Sequence, residues 1–349
     1  MRRLIDSCGL GGVGSRGLFS QPHIAMSHTF TEAIVRRAVL WCAVTFASVL
    51  ALGSAAGAAA AQATGKAPAA GRFRTISFPR AVATEPNNVN DNGVIVGCYR
   101  HRRGPLRGFT DRGGKFTTVN DPAAGRNAAI TACLQGINKH GAMVGEYQSS
   151  TGVLHGFVDR GGKFTTIKAP GAGGGNGEGT VATTVNDSGA IGGIVTSSRR
   201  VMHGFVLSGG KFSMVNDPRA GKARGQGTAV TGISDAGLVV GFFVSPKGVL
   251  HGFEDRGGTF TTIDHAHAAQ RPGKGTFVGC VSLTTRQLTG EYFRATGPGI
   301  GFTGRVGHFR TVSDPAATAG TFPSCVNDSG RIVGIYFVGR AIHGFEFIP

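Results

Sequence analysis

Histidine recurs at one position of a repeated tripeptide, and imidazole is a side chain that can bind metal ions or transfer protons. The tripeptide is His-Gly-Phe, and it begins at His155, His203, His251 and His343. A zinc ion needs its ligands about 2 Å away, and histidines that belong to separate repeats do not converge on one ion. We therefore expect each imidazole to bridge its own strand to a neighbouring strand or turn, with no metal site and no cofactor.

Carboxylates recur in Asn-Asp-x-Gly turns and at one position of two repeats. The turns begin at Asn90, Asn186 and Asn327. They lack the spaced acids and distant glutamate of a calcium loop, so we interpret them as Asx turns that close hairpins. Glu146 and Glu291 occupy equivalent positions, and two facing carboxylates are what a glycoside hydrolase needs. Because their strand lies outside the innermost one, we expect them at the surface or between repeats.

One further cluster has the character of a metal ligand set. It is the segment 264–267, Asp-His-Ala-His, in a loop between two repeats. No partner for it can be placed from the sequence, and a transition metal needs several convergent ligands. We therefore expect this segment to be an ordinary loop.

A period of about 48 residues organises the chain after residue 73. The dipeptide Gly-Phe recurs six times, and its phenylalanines are Phe109, Phe157, Phe205, Phe253, Phe302 and Phe345. Each period holds four short apolar runs separated by Asn, Asp and Gly, which is typical of four antiparallel strands joined by tight turns. Four strands in each of six ~48-residue periods predict an all-β fold, a six-bladed β-propeller.

The repeats are out of phase at the two ends of the chain. Residues 73–76 match the fourth strand of a repeat, whereas the chain stops at Pro349, directly after the third strand of the sixth copy. We therefore expect the N-terminal strand to pair into the last blade and close the ring, which leaves no open edge there. A solenoid of stacked repeats is the alternative, but it would need polar capping units.

An apolar segment precedes the repeats. Residues 38–52 carry no charge, follow Arg36 and Arg37, and are followed by small residues up to Ala63. This order is typical of a secretory signal. We expect cleavage near Ala63 and a secreted or periplasmic protein. The run is shorter than the ~20 residues that span a bilayer, so contact with a membrane is expected only through an uncleaved leader.

The chain thus divides into three segments. They are 1–63 as the export segment, 64–72 as a linker, and 73–349 as the propeller. Met26 begins a leader of more ordinary length than Met1 does, and it is an alternative start.

The repeat resembles the extracellular repeats of the HAF family, which are named for a His-Ala-Phe motif. Here the motif reads His-Gly-Phe in four copies, and Ile-Asn or Val-Asn stands upstream of most of them. Arg107 and Ile300 replace the histidine in the other two copies. The resemblance covers about residues 73–349. It implies an exported, propeller-like bacterial protein and no particular activity.

Four cysteines follow the export segment, and an even number in an exported chain indicates disulfides. Cys280 and Cys325 occupy equivalent positions of neighbouring inner strands. Their α-carbons should therefore lie near the ~5.5 to 6 Å that a disulfide prefers. Cys98 and Cys133 would form the second pair. Free buried thiols are the alternative.

The charge is strongly positive, with 36 Lys and Arg against 19 Asp and Glu and a formal net charge of +17. In a propeller, the loops from second to third strand and from one blade to the next emerge on the same face. The basic residues of these loops that we expect to bind a ligand are Arg100, Arg102, Arg103, Arg199, Arg200, Lys222, Arg224, Arg271 and Lys274. We call this side the basic loop face, and we expect it to attract anions.

These features favour a monomeric, non-catalytic exported module that binds an anionic or protein partner through the basic loop face. Acidic polysaccharide, lipopolysaccharide and acidic protein are the expected partners. Nucleic acid is not expected, because the loops lack interleaved aromatic side chains for base stacking. The alternative is a propeller enzyme, a lyase or hydrolase of an extracellular polymer with its site at the tunnel mouth. No nucleophile elbow, H-E-x-x-H or Walker loop supports that alternative.

Overall fold

The structure is a computed structural model and describes residues 71–339 and 341–349. These residues form 24 β-strands and no helix, so the prediction of an all-β fold is confirmed. The expected export segment and cleavage point lie outside the described residues. The first strand begins at Arg72, one residue before the predicted start of the repeats.

The strands after the first fall into six consecutive groups, which we call units 1 to 6. Units 1 and 2 contain β2 Ala83–Val89, β3 Val94–Arg100, β4 Arg107–Arg112 and β5 Lys115–Val119, then β6 Cys133–Ile137, β7 Ala142–Gln148, β8 Leu154–Arg160 and β9 Lys163–Ile167. Units 3 and 4 contain β10 Gly179–Val185, β11 Ile191–Thr196, β12 Met202–Ser208 and β13 Lys211–Val215, then β14 Gly227–Ile233, β15 Val239–Val244, β16 Leu250–Arg256 and β17 Thr259–Ile263. Units 5 and 6 contain β18 Gly275–Val281, β19 Leu288–Phe293, β20 Gly299–Arg305 and β21 His308–Thr311, then β22 Thr321–Val326, β23 Ile332–Val338 and β24 Ala341–Ile348.

Each unit is an antiparallel meander in which consecutive strands pair. Glycines close the outer turns, as at Gly161 and Gly162, where φ is +66° and +90°. Positive φ at both central residues matches the right-handed twist of the flanking strands. The Asp159 carboxylate accepts a hydrogen bond from the Gly162 amide at 2.7 Å and fixes the turn. Short turns of this kind keep every unit in register.

The innermost strand of each unit contacts its counterparts in the two neighbouring units. These contacts run in a cycle through β2, β6, β10, β14, β18 and β22 and return to β2. Unit 6 supplies three strands of its own, and β1 Arg72–Ile76 pairs antiparallel with β24 beside them. Arg72 lies opposite Ile348, and Ile76 lies opposite Gly344.

The core lies between units and is built by the Gly-Phe pairs. All six repeated phenylalanines are fully buried. The preceding glycine makes room for the next unit, since a Cβ on Gly204 would lie only 2.8 Å from a methyl group of Val230. A second phenylalanine packs on the first, as Phe212 does on Phe205 with ring centroids 5.6 Å apart. The Gly-Phe period therefore marks the packing of one unit against another.

Candidate functional site: the basic loop face and the rings that support it

Backbone hydrogen bonds join the loops of the basic loop face into one platform. The Gly177 amide, in the loop between units 2 and 3, donates to the Gly152 carbonyl of unit 2 at 2.9 Å. The Gly173 amide of the same loop donates to the Thr196 carbonyl of unit 3 at 3.0 Å. The equivalent bonds recur from Gly225 to Arg200 and from Gly273 to Gly248. Each inter-unit loop is therefore held by both units that it connects.

The acidic side chains of this face are used by its own turns. Asp121, Asp217 and Asp314 are buried, and each accepts a hydrogen bond from the amide two residues later, at 2.8 to 2.9 Å. Glu178 is buried and accepts from the Gly175 amide at 2.8 Å. Asp264 pairs with an imidazole, as described below. Asp217 and Glu178 also lie beside Arg219 and Arg200, whose positive charges partly offset those of the carboxylates.

The cations, in contrast, are mostly at the surface. Six of the nine basic residues predicted here are exposed, namely Arg102, Arg103, Arg199, Lys222, Arg224 and Arg271. The other three, Arg100, Arg200 and Lys274, are half-buried. Partial burial lowers the pKa of Lys274, and the positive charge of Arg271 adds to that effect. The face therefore exposes more positive than negative charge. Asp121, Asp217, Asp314 and Glu178 are buried and hydrogen-bonded, whereas Asp264 is exposed beside His251.

Two further arginines of this face cover aromatic rings, which the sequence did not suggest. The guanidinium carbon of Arg219 lies 5.0 Å from the ring centroid of Phe243, and that of Arg294 lies 5.8 Å from Tyr292. Arg219 also forms an ion pair with Asp217 at 2.6 Å. Distances of this size suit cation–π contacts. The Arg219 contact joins an inter-unit loop to Phe243 of unit 4, whereas Arg294 and Tyr292 are two residues apart in unit 5.

The four repeated histidines lie on the third strand of their units, opposite the second strand. His155 stacks on Tyr147 with ring centroids 5.1 Å apart, and His343 stacks on Tyr336 at 5.2 Å. Burial lowers the pKa of His155, and the charge of Lys168 adds to this shift while that of Asp121 opposes it. Each of these rings is thus held by its own unit.

The other two histidines bond to the residue that follows the fourth strand. The His203 ring Nδ1 lies 2.9 Å from the Asn216 side-chain oxygen. His251 stacks on Phe243 at 4.9 Å, and its Nδ1 lies 2.9 Å from the carboxylate of Asp264. Asp264 of the 264–267 cluster is therefore used within unit 4.

His265 of the same cluster inserts between units. It stacks on Tyr292 of unit 5 with ring centroids 3.7 Å apart. Burial lowers the pKa of His265, and the charges of His267 and Arg294 add to the shift. Within the described residues, no three His, Cys, Asp or Glu side chains are grouped so as to hold a metal ion.

Both cysteine pairs named from the sequence are bonded in the structure, and each bond links neighbouring units. Cys98 of β3 is joined to Cys133 of β6, with α-carbons 5.1 Å apart. Cys280 of β18 is joined to Cys325 of β22, with α-carbons 5.0 Å apart. Cross-links of this kind stabilise a fold chiefly by restricting the unfolded chain. They join unit 1 to unit 2 and unit 5 to unit 6.

The carboxylates considered for catalysis are buried beside these inner strands. Glu146 has no exposed surface, and the Gln135 amide lies 3.4 Å from it. Burial raises the pKa of Glu146 well above its ordinary value. Glu291 is also buried.

Glu85 of β2 is a further carboxyl group with a shifted pKa. Burial raises the pKa of Glu85 to about 7, although the positive charge of Arg100 opposes that shift.

The Asn-Asp-x-Gly turns and the equivalent turns at Asn138 and Ser234 form a ring of hydrogen bonds. This ring lies on the face opposite the basic loop face. Each asparagine accepts from its own turn, as when the Ala142 amide donates to Asn138 Oδ1 at 3.0 Å. Its Nδ2 then donates to the carbonyl of the next unit. These links run from Asn327 to Asn90, Asn90 to Asn138, Asn138 to Asn186 and Asn186 to Ser234, at 2.9 to 3.1 Å. The circuit continues from the Asp235 amide to the Leu283 carbonyl at 3.0 Å, and from the Thr284 amide to Asp328 at 2.9 Å.

A second layer of bonds lies at the bulge of the inner strands. The pairing of β10 with β11 shifts register around Thr183, whose hydroxyl donates to the Val230 carbonyl of the next unit at 2.8 Å. Thr231 donates in the same way to the Val278 carbonyl at 2.8 Å. Bulges turn one side chain out of the ladder. Here that side chain binds the neighbouring unit.

No model of a protein family matches the chain, and the search of curated proteins found no match. Solved structures do resemble it. AofleA from Arthrobotrys oligospora has 9% identity and a TM-score of 0.51, over 80% of this chain and 86% of that one. TolB from Acinetobacter baumannii has 12% identity and a TM-score of 0.51, over 73% of this chain and 63% of that one.

A fungal lectin from Aleuria aurantia, described as a six-bladed β-propeller with a novel fucose recognition mode, has 11% identity and a TM-score of 0.45. It matches over 74% of this chain and 88% of that one. At these identities the likeness concerns the fold alone. Four-stranded antiparallel units arranged around a common axis define the class of this chain, which is a β-propeller. The described residues include no helix that is long and apolar enough to cross a membrane.

Proposed function

We propose that the six units are the six blades of a closed propeller, and that β1 completes the sixth blade. The ladder between β1 and β24 supports this proposal, as does the cycle of contacts among the inner strands. A buried charge cluster lies at the same place. Glu346 of β24 forms ion pairs with Arg74 of β1 at 2.7 Å and with Arg331 of β23 at 3.0 Å.

We also propose that the chain is an exported, non-catalytic binding module of the HAF type, and that its ligand is anionic. Its binding surface is the basic loop face. One observation carries this proposal: most of the cations on that face are exposed, whereas its carboxylates are held in turns or ion pairs. A rigid surface with an excess of positive charge concentrates anionic ligands within a Debye length of roughly 8 to 10 Å.

Salt-dependent binding tests this function. The chain without its leader is titrated with heparin and polygalacturonate at about 50, 150 and 500 mM NaCl. We expect binding at about 50 mM that weakens steeply with salt, because released counterions drive ionic binding to polyanions. Neutral dextran is the control and should not bind. Absence of binding to every polyanion at low salt, or binding that salt leaves unchanged, would contradict the proposal.

A further inference from the structure

The cations of units 3 to 5 lie on neighbouring loops that are bonded to one another. We call this set of cations the basic arc, and it consists of Arg199, Arg200, Lys222, Arg224, Lys247 and Arg271. Main-chain hydrogen bonds link the loops that carry them. The Gly225 amide donates to the Arg200 carbonyl at 2.8 Å, and the Gly221 amide donates to the Val244 carbonyl of the next unit at 2.8 Å. The Gly273 amide donates to the Gly248 carbonyl at 2.9 Å and extends the platform to the loop of Arg271.

The loops of the arc do not need these charges in order to fold. Residues 149–153 and 170–178, one repeat earlier, form the same main-chain hydrogen bonds. At the positions of Arg199, Lys222 and Arg224 they carry Thr151, Gly174 and Asn176. Because uncharged residues build the same loop, the main-chain hydrogen bonds do not require cations at these three positions.

Arg200 differs from its counterparts in backbone conformation and in its contacts. Its φ is +58°, a left-handed conformation that favours glycine. The equivalent residues in units 2 and 4 are Gly152 and Gly248, with φ of +84° and +74°. The Arg200 guanidinium donates to the Asn176 carbonyl at 3.0 Å and lies 3.6 Å from the Glu178 carboxylate. It therefore joins two loops of the platform while it adds to their positive charge.

A row of cations on neighbouring loops fits a linear polymer better than a single small anion, which needs charges converging on one point. The aromatic rings of this region, Phe243 and Tyr292, lie under Arg219 and Arg294. They are therefore not available for stacking with nucleic-acid bases. The features that remain are guanidinium and ammonium groups, which bind carboxylate and sulfate oxygens.

We propose that the basic arc binds a linear acidic polysaccharide along units 3 to 5, with successive anionic sugars meeting successive loops. This inference rests on the proposed function of the basic loop face and narrows it to one ligand class and one sector.

The test compares two variants that each lose four charges from the same face. The arc variant combines Arg199→Thr, Arg200→Gly, Lys222→Gly and Arg224→Asn, which are the residues found one repeat earlier. The control variant combines Arg102→Gln, Arg103→Gln, Arg126→Gln and Lys168→Gln in units 1 and 2. Binding of polygalacturonate, its oligomers and heparin is measured by titration calorimetry at about 50 mM NaCl.

We expect affinity to rise with oligomer length, because a longer chain meets more loops. The arc variant should bind about tenfold or more weakly than the wild type, and the control variant should lose clearly less. Arg200→Gly alone should weaken binding. Its effect on the thermal unfolding midpoint combines relief of the left-handed backbone with loss of the ion pair to Glu178, so affinity is the readout for this variant.

Equal losses in the two variants, or affinity independent of oligomer length, would overturn the assignment to the arc. Tight binding of lipopolysaccharide or an acidic protein together with no binding of polysaccharide would overturn the ligand class. Those outcomes differ from failure of the proposed function, in which the wild type binds no polyanion at all. A lower unfolding midpoint of Arg200→Gly with unchanged affinity would assign Arg200 a structural role and contradict the inference.

Discussion

Asn138 holds its own turn and the next unit at the same time. Its Oδ1 accepts from the Ala142 amide at 3.0 Å, and its Nδ2 donates to the Asn186 carbonyl at 3.0 Å. The Asx-turn role could be predicted from the sequence, since Asn before a Gly turn is a local signal. The donor role could not, because its acceptor lies 48 residues away.

Glu85 should make the stability of the protein depend on pH. Burial raises its pKa to about 7 in the fold from an ordinary value of 4.5. The unfolded chain therefore releases the proton first as pH rises. The free energy of unfolding therefore falls as pH rises from about 4.5 to 7. Below about pH 4.5, Glu85 causes no such loss.

We expect Glu85→Gln to remove this loss. Relative to the variant, the wild type should be less stable at about pH 8 than at about pH 4, by an amount of the order of 2 kcal/mol. Urea unfolding of both proteins at the two pH values measures the difference. If the two proteins differ by the same free energy at both pH values, Glu85 does not titrate as the structure indicates.

Some contacts of single residues could be predicted from the sequence, and others could not. The pair Cys280–Cys325 could be named because equivalent positions of neighbouring inner strands lie about one disulfide span apart, and Cys98–Cys133 was the pair that remained. The ring covered by Arg219 could not be named, because Phe243 is 24 residues away and the contact depends on how two elements meet in three dimensions. The strain at Arg200 is visible only once its φ is known.

At the scale of elements, the inner strands of units 3 to 5 begin at a glycine with positive φ, whereas Ala83 begins that of unit 1. Gly227 has φ of +118°, and a Cβ there would collide with the carbonyl oxygen of Met202. This carbonyl belongs to β12, whose first residue pairs with Gly227 in parallel fashion. Gly179 and Gly275 have the same conformation and the same kind of neighbour. Glycine at this position thus lets one unit approach the next.

We expect Gly227→Ala to lower the free energy of unfolding by roughly 2 to 4 kcal/mol, because the backbone of two units must separate. Gly209→Ala is the matched control. Gly209 has φ of +56°, and a Cβ added there would meet no atom within 4 Å, so its substitution should cost about 1 kcal/mol. Chemical denaturation of the two variants measures both values. Equal losses would show that close approach at Gly227 does not matter.

The strands themselves follow closely from the sequence, because their turns carry Gly, Asn and Asp at fixed offsets. The bulge in each inner strand does not. The register of β6 and β7 shifts around Gln135, and that of β14 and β15 shifts around Thr231. No common residue type marks these positions. A bulge is fixed by what the extra residue contacts in the next unit, and local propensity does not contain that information.

At the scale of the whole molecule, the fold separates two faces of different chemistry. The Asn-Asp turns and their ring lie on one face, and the basic loops lie on the other. Arg72 begins β1 opposite Ile348, at the end of β24 that belongs to the turn face. The chain therefore enters the first strand on the side away from the basic loop face. An anchor joined to the protein before Arg72 would therefore leave the basic loop face accessible to a ligand.

The phase of the repeats made the pairing of the chain ends predictable, whereas the partners that stabilise it were not. Arg74 and Glu346 are 272 residues apart and form a bond of 2.8 Å. Other units carry Thr110, Val158, Val206, Glu254 or Thr303 at the position of Glu346, and Glu254 is only half-buried. Only the unit completed by β1 combines a buried glutamate there with an arginine of the N-terminal strand.

Hydrogen exchange of β1 tests the closed ring most directly. Deuterium uptake is followed by mass spectrometry for the segments of β1, β22, β23 and β24 in the protein without its leader. We expect the amides of β1 that bond to β24 to exchange as slowly as those of β23, because opening them would require opening the ring. Rapid exchange of β1 while β23 and β24 stay protected would contradict the closed propeller.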